Sequence, residues 1–208
     1  VLWHQVRNPL AAIQWILEGF LSRADLREED RLELQRVYKE DRTLADLVRD
    51  LLILSQVENW ALESETVVLE KELANIINTV NQKHPDINFY FQNEAGQAPV
   101  IAVKTLALQV FSNIINNAAE HASKEHGEVT IKLQKFSQGI LFSCHNNGAP
   151  IPYDMVPKIF TKVPSTSGGA GLGLYIVKMI CDYLTWRVAF EAGENGTVFF
   201  VTIPWPNQ

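Results

Sequence analysis

Three groups of side chains in this sequence have types and spacings that could do chemistry. The first opens the chain: His4, then Asn8 four residues on, then Pro9. An imidazole changes protonation near neutral pH and has a nucleophilic ring nitrogen. His4, Asn8, Ala11 and Trp15 recur at helical spacing and share one face. The apolar seam Trp3, Val6, Leu10, Ile13, Leu17 and Phe20 lies on the other side, so His4 is expected to face solvent, within reach of another protein. Pro9 loosens the helix one turn after His4, and Asn8 could hold a water beside a group on the ring. A lone surface histidine is ordinary; the His-x-x-x-Asn-Pro spacing singles this one out. Trp15 is odd on a solvated face, and reads either as an anchor for a docking protein or as packing inside a dimer.

The second group is Asn113 and Asn117, four apart on one face of an expected helix whose other face is Leu106, Val110, Ile114 and Ala118. Two stacked carboxamides offer neutral oxygens to a hard cation such as Mg²⁺. An ordinary polar helix face would look the same. The third is "SGGAGLGLYIV" (167–177), four glycines running straight into a helix. Free amides at a helix start, with no side chains to block approach, suit a phosphate chain. It is not a P-loop, because no Gly-Lys-Ser/Thr follows, and it lacks the strand and Gly-x-Gly-x-x-Gly of a dinucleotide site. A flexible loop stays open beside the phosphate reading. A fourth stretch, "HNNGAPIP" (145–152), is a polar turn with one glycine before a proline-bounded segment.

The elements that must hold these groups fall into two regimes. Residues 1–60 read as two helices broken at "SRADLREED" (22–30), with Asp25 as the expected N-cap. The second helix, roughly residues 28–58, continues the seam at Leu34, Val37, Leu44, Leu47, Leu51 and Leu54, interrupted by Glu40 and Asp41. Such an antiparallel hairpin has too little core alone, so it is expected to pair with a copy of itself as a four-helix bundle. Residues 61–208 mix strands and helices: a strand then a helix in "TVVLEKELANIINTVNQ", a strand at 87–92, a helix at 106–122, a hairpin from "EVTIKLQKF" and "GILFSCHN", a helix in "GLGLYIVKMICDYL", and two final strands joined by Gly-Glu-Asn-Gly. Without regular βαβ alternation, this indicates an α+β fold, an α/β sandwich with its sheet covered on one face.

Composition bounds the partners. The 208 residues carry a net charge of −6 and 47% hydrophobic side chains. That supports a substantial core and argues against nucleic-acid binding, which needs a basic face. No apolar run reaches the length of a membrane span and no signal peptide opens the chain, so a soluble fragment is expected. Cys144 and Cys181 match no metal-site spacing and read as buried free thiols. The chain starts in mid-pattern at "VLWHQVRNPL", which suggests a piece of something longer.

In order along the chain stand His-x-x-x-Asn-Pro, Asn-x-x-x-Asn-Ala, Asn-Asn-Gly-x-x-Ile-Pro, Ile-Phe, Gly-x-Gly-Leu-Gly-Leu, and Gly-Thr before a last strand. That order resembles the sensor histidine kinases of two-component systems, over nearly the whole chain. The resemblance implies a dimerisation and phosphoacceptor hairpin at 1–60 and a catalytic ATP-binding domain of Bergerat type at 61–208. It implies ATP-dependent autophosphorylation on His4 and transfer to an aspartate of a response-regulator receiver domain, with Asn8 supporting dephosphorylation of that partner. Asn117 would hold Mg²⁺, with Asn113 one turn behind. Ser165–Ala170 would be the ATP lid, and Gly169, Gly171 and Gly173, interleaved with Leu172 and Leu174, would cradle phosphates. His121, Asn146, Gly148 and Thr197 would complete the ATP site. Lys162 would reach a phosphate oxygen or stay solvated. A homodimer through residues 1–60 is implied, weak in this chain, with a cytoplasmic location and any membrane anchor outside the fragment.

The departures from the family pattern matter. Asn146 stands where the family has an aspartate that accepts a hydrogen bond from the adenine amino group; a carboxamide oxygen accepts the same bond more weakly. Pro150 replaces a glycine and removes an amide. Gln5 replaces an acidic residue that would draw the proton from the imidazole. Glu120 and His121 stand where many relatives have lysine and tyrosine. ATP hydrolases of the same fold place a water-activating glutamate where this chain has Asn113, which has no basicity to offer. The remaining rival is a pseudokinase or phosphatase-dominant module that binds nucleotide without efficient autophosphorylation. Gln5 and Asn146 favour it; His4, Asn117 and the glycine loop favour the active kinase.

Overall fold

The structure is a computed structural model describing residues 2–23, 25–57, 63–161 and 172–205, with only part of the side chains in the first two helices. The chain divides into two compact units, one built on Val1–Trp60 and the other on Ala61–Val163 with Gly173–Gln208.

The first unit is a hairpin of α1 (Leu2–Leu21) and α2 (Glu28–Val57). Their antiparallel pairing shows in two bonds: Arg31 donates to the Leu21 carbonyl at 2.7 Å, and the Tyr38 hydroxyl to Glu18 at 2.7 Å. Glu28, Glu29 and Asp30 fill the first turn of α2, where negative charge is favoured by the helix dipole. Asp25 is not the N-cap that the sequence suggested. The helix starts three residues later, and its carboxylate takes two bonds from Arg23, at 3.1 and 2.8 Å, which hold it below the usual carboxylate range. Leu17 of the seam is buried, whereas Ile13, Phe20, Val37 and Leu44 stay exposed in the single chain. Asp41, one of the two charged interruptions of the seam, is also buried, at 8% exposure.

The second unit runs β1 (Glu65–Val68), α3 (Leu69–Lys83), β2 (Ile87–Asn93), β3 (Pro99–Ala102), α4 (Lys104–Glu120), β4 (Gly127–Phe136), β5 (Gly139–Asn146), a short 3₁₀ turn (Val156–Lys158), α5 (Gly173–Tyr183), β6 (Arg187–Gly193) and β7 (Gly196–Pro204). Five strands form one sheet in the order β2-β4-β5-β7-β6, and β1 pairs with β3 apart from it. Side chains alternate along β5, so Ile140, Phe142, Cys144 and Asn146 point to the face covered by α3, α4 and α5. Phe111 of α4 packs on Phe142, with ring centroids 4.9 Å apart, and on Trp186 at 5.9 Å. Both cysteines are free and buried; burial pushes Cys144 far up and Cys181 to about 12. An α+β sandwich with one covered face is what the pattern of elements predicts.

Two features differ from the sequence reading. β3 was not expected, and β2 runs parallel to β4. A parallel pair needs a crossover, and β3 and α4 supply it. Among the described residues no helix is long and apolar enough to cross a membrane.

Candidate functional site

α4 carries the asparagines because its buried stripe, Leu106, Val110, Ile114 and Ala118 among others, faces the sheet and leaves the 113/117 line on its flank. The two carboxamides have different duties. Asn113 is fully engaged: its Oδ1 accepts from Gln109 at 2.9 Å and its Nδ2 donates to the Gly173 carbonyl at 3.1 Å. It therefore fastens the first residue of α5 to α4. Asn116 is likewise used, bonding back to the Ser112 carbonyl at 2.7 Å. Asn117, half-buried, meets no donor or acceptor with its carboxamide among the described residues.

One turn on, α4 ends at His121, whose N–H bonds the Asn117 carbonyl at 3.1 Å. The His121 ring is exposed, and its carbonyl accepts from Asn146 Nδ2 at 3.1 Å. A continuous path of bonds thus links Asn146, His121 and the Asn117 turn. Asn146 ends β5 directly opposite Thr197 of β7, and the two are 2% and 4% exposed. Backbone closes tightly around them. A Cβ on Gly148 would lie 1.6 Å from the His121 carbonyl oxygen, and one on Gly196 would lie 1.8 Å from the Asn146 carbonyl oxygen. Gly196 also has φ of +113°, which side chains rarely adopt.

The sequence missed what Asn147 does. Its Oδ1 accepts from the Ser123 and Glu128 amides at 3.2 and 2.9 Å, and its Nδ2 donates to the His126 carbonyl at 2.6 Å. One side chain thereby holds the whole α4–β4 connection. The only hint was an asparagine before a glycine in a turn, where such side chains bond nearby backbone. Phe160, of the Ile-Phe pair, was also left without a role. It packs edge-on against Phe190 at 5.8 Å and Phe199 at 6.4 Å, anchoring the chain just before the glycine-rich stretch.

The structure brings Asn117, His121, Asn146, Gly148 and Thr197 to one end of the sandwich. Leu172, Gly173 and Leu174 are half-exposed, and Gly173 starts α5, where a helix leaves amides unsatisfied. Lys162, Gly169, Gly171 and the Ser165–Ala170 lid lie outside the described residues. His4 and Asn8 sit in the first two turns of α1, their side chains outside what is described.

Two family models match: "His Kinase A (phospho-acceptor) domain" over residues 1–60 and "Histidine kinase-, DNA gyrase B-, and HSP90-like ATPase" over residues 102–207. The chain belongs to the sensor histidine kinases. Its relatives include the sensory histidine kinase/phosphatase NtrB of Azospirillum brasilense, 26% identical over 98% of this chain and 54% of that protein. The catalytic domain of histidine kinase ThkA is 31% identical with a TM-score of 0.61, over 69% of this chain and 97% of that one. Full-length ShkA in complex with AMPPNP shares the fold with a TM-score of 0.74 at 22% identity, over 100% of this chain and 45% of that one. The chain spans about a quarter to about half of the length of the curated relatives it matches. In this sensor histidine kinase the ATPase-family match includes Asn117, Asn146 and Thr197.

Proposed function

We propose that this chain binds ATP with Mg²⁺ at the Asn117–Asn146 end of its second unit, phosphorylates itself on His4, and passes the phosphoryl group to a receiver-domain aspartate. Support comes chiefly from Asn117. Its neighbours Asn113 and Asn116 are bonded within the protein, while its own carboxamide has no partner among the described residues. A neutral oxygen there is the kind of hard donor that Mg²⁺ accepts, and bound Mg²⁺ would draw charge off the triphosphate. Asn146 Oδ1 offers an acceptor to the purine amino group, Gly148 lets the backbone approach, and the α5 start offers amides to phosphate.

In the transfer, a His4 ring nitrogen attacks the γ-phosphorus. An N–P bond forms, the bond to the bridging oxygen breaks, and ADP leaves with the electron pair. The imidazole proton goes to solvent, because Gln5 has no basic atom to take it. In the second step a receiver aspartate oxygen attacks the phosphorus, the N–P bond breaks, and the ring nitrogen regains a proton. Asn8, one turn from His4, orients water for hydrolysis of the aspartyl phosphate, in keeping with a relative named as kinase and phosphatase. Residues 1–60 supply the dimerisation and phosphoacceptor hairpin and residues 61–208 the catalytic part.

Labelled ATP tests this. The chain should acquire acid-labile, base-stable label, lost in His4→Gln with ADP binding unchanged. Label persisting in that variant refutes His4 as acceptor. Tight ADP binding with no label in the native chain would instead favour the pseudokinase reading, which Gln5 and Asn146 support.

A further inference from the structure

At the end of the second unit away from Asn146, a hollow of about 380 Å³ is lined by Val100 and Ile101 of β3, Thr185 and Trp186 just past α5, and Ile203 and Trp205 at the end of β7, among others. β7 runs from Thr197, opposite Asn146, to Pro204 on this hollow, and α5 runs to it from Gly173. The hollow is therefore separate from the nucleotide end. We propose that it forms, with the free edge of β3, a docking site for an extended segment of another protein. That segment adds as an antiparallel strand beside β3, sets one large apolar side chain into the hollow and carries acidic residues on its flanks.

The backbone of β3 decides what can pair with it. Among the described residues β3 pairs with β1 alone. The Leu69 amide donates to the Ala98 carbonyl at 3.2 Å, and the register runs on from there through Val68↔Pro99 to Glu65↔Ala102. In an antiparallel ladder, pairs that exchange hydrogen bonds alternate with pairs that do not. Val100 and Ala102 therefore turn their amides and carbonyls to β1, whereas Pro99 and Ile101 turn theirs to the open edge. Pro99 has no N–H to offer. The Val103 carbonyl is taken by the Leu106 and Ala107 amides, at 3.1 and 3.0 Å. Ile101 alone in β3 presents both a donor and an acceptor outward, and one residue of an antiparallel strand satisfies both. That residue's side chain falls on the Ile101 side. Its neighbours' side chains fall on the side of Val100, which is buried like Trp186 and Ile203.

The walls of the hollow add two further signs. Thr185 has φ of +57°, at the position after α5 where glycine is favoured: its amide bonds the Asp182 carbonyl at 3.3 Å and the Trp186 amide bonds the Cys181 carbonyl at 2.7 Å. A β-branched residue costs stability in that conformation. The fold alone would be better served by glycine, yet a side chain is kept there, against the hollow. The rim is also cationic, in a chain of net charge −6. Lys135 Nζ lies 5.3 Å from the Trp205 ring centroid, and exposed Arg187 follows Trp186. Neither has a carboxylate partner among the described residues. On the adjoining helices, Asp182 is engaged by Lys178 and Glu72 by Lys104. Acidic flanks complement such a rim.

The test is calorimetry of the 208-residue chain with the peptide acetyl-Glu-Val-Thr-Phe-Glu-amide, whose threonine pairs with Ile101 and whose phenylalanine enters the hollow. Methylating the threonine nitrogen removes the donor to the Ile101 carbonyl and should weaken binding about tenfold or more. Methylating the phenylalanine nitrogen should leave affinity unchanged, because that N–H points away from β3. Alanine in place of the phenylalanine should weaken binding about tenfold or more. Lysines in place of both glutamates should weaken it too, most at low salt. On the protein, Thr185→Gly should melt higher yet bind the peptide more weakly, which a purely structural threonine would not do. Saturating ADP should leave peptide affinity as it is. A peptide that fails to bind the folded chain, or that ADP displaces, overturns the proposal. So does binding that needs the phenylalanine but ignores both methyl groups, which would make the hollow a site for small apolar molecules instead.

Discussion

Asn113 and Asn117 share a helix face and a side chain, yet they are separated by what surrounds them. Asn113 is clamped between Gln109 and the Gly173 carbonyl; the Asn117 carboxamide has no partner among the described residues. Their loss should therefore look different. Asn117→Ala removes an oxygen with no partner among the described residues and should lower Mg·ATP affinity by on the order of a hundredfold or more. The melting temperature should stay near native, because no internal bond is broken. Asn113→Ala breaks two bonds and should destabilise the fold by about 1–2 kcal/mol, loosening the start of α5. Calorimetry and thermal melts on the pair separate the roles, and equal losses of affinity with unchanged melts would contradict the division. The four-residue spacing made both asparagines visible in the sequence. It could not show which was spent, because the Gly173 carbonyl that claims Asn113 lies sixty residues away along the chain. Likewise Asn146 was legible as a departure from the family, while Asn147's three bonds across the α4–β4 connection were not.

At the scale of elements, the long periodic segments were readable and the short ones were not. α2 spans Glu28–Val57 and α4 Lys104–Glu120, both close to the bounds their apolar spacing gave. β3 is four residues, "PVIA", opening on a proline, and it gains its strand character from pairing with β1. The parallel register of β2 and β4 is a tertiary choice that no local pattern encodes. Asp41 is the sharpest case. It interrupts the apolar seam, yet it is 8% exposed, and among the described residues its Oδ2 has no partner. A carboxyl oxygen buried without a partner weakens the structure around it, and polar seam residues are retained in some helix pairs because they fix register. Asp41→Asn should therefore raise the stability of the hairpin by about 1–3 kcal/mol and Asp41→Leu by at least as much. Denaturant titration followed by circular dichroism reads the change. Lower stability in both variants would mean that Asp41 is held by a favourable interaction. If register is what Asp41 specifies, the stabilised leucine variant should lose autophosphorylation even as it melts later.

For the molecule as a whole, the helical hairpin leaves more apolar surface open than a lone unit of its size would keep. Ile13, Ile16 and Phe20 of α1 are 43%, 51% and 43% exposed, and Val37 and Leu44 of α2 are each 50% exposed. By helical spacing, Ile13, Ile16 and Phe20 lie on one face, turned away from Trp15, which is 77% exposed. One face is therefore fit to pair with a second copy. Full burial of an aliphatic or aromatic side chain is worth roughly 1.5–3 kcal/mol, and each of these is already about half covered. Two copies meeting on this face recover several kcal/mol, against about 8 kcal/mol for micromolar association. The expected state is a dimer that dissociates around micromolar concentration, visible as a sedimentation coefficient that rises with protein concentration. Phe20→Glu puts a charge into that face and should shift the chain to monomer over the same range. Label from ATP should fall in step with the dimer fraction, while ADP affinity holds, because the core of the nucleotide-binding unit is built from its own strands and helices. A native chain that sediments as a monomer at high concentration, or a Phe20→Glu monomer labelled as fast as the native chain, would detach phosphorylation from this face.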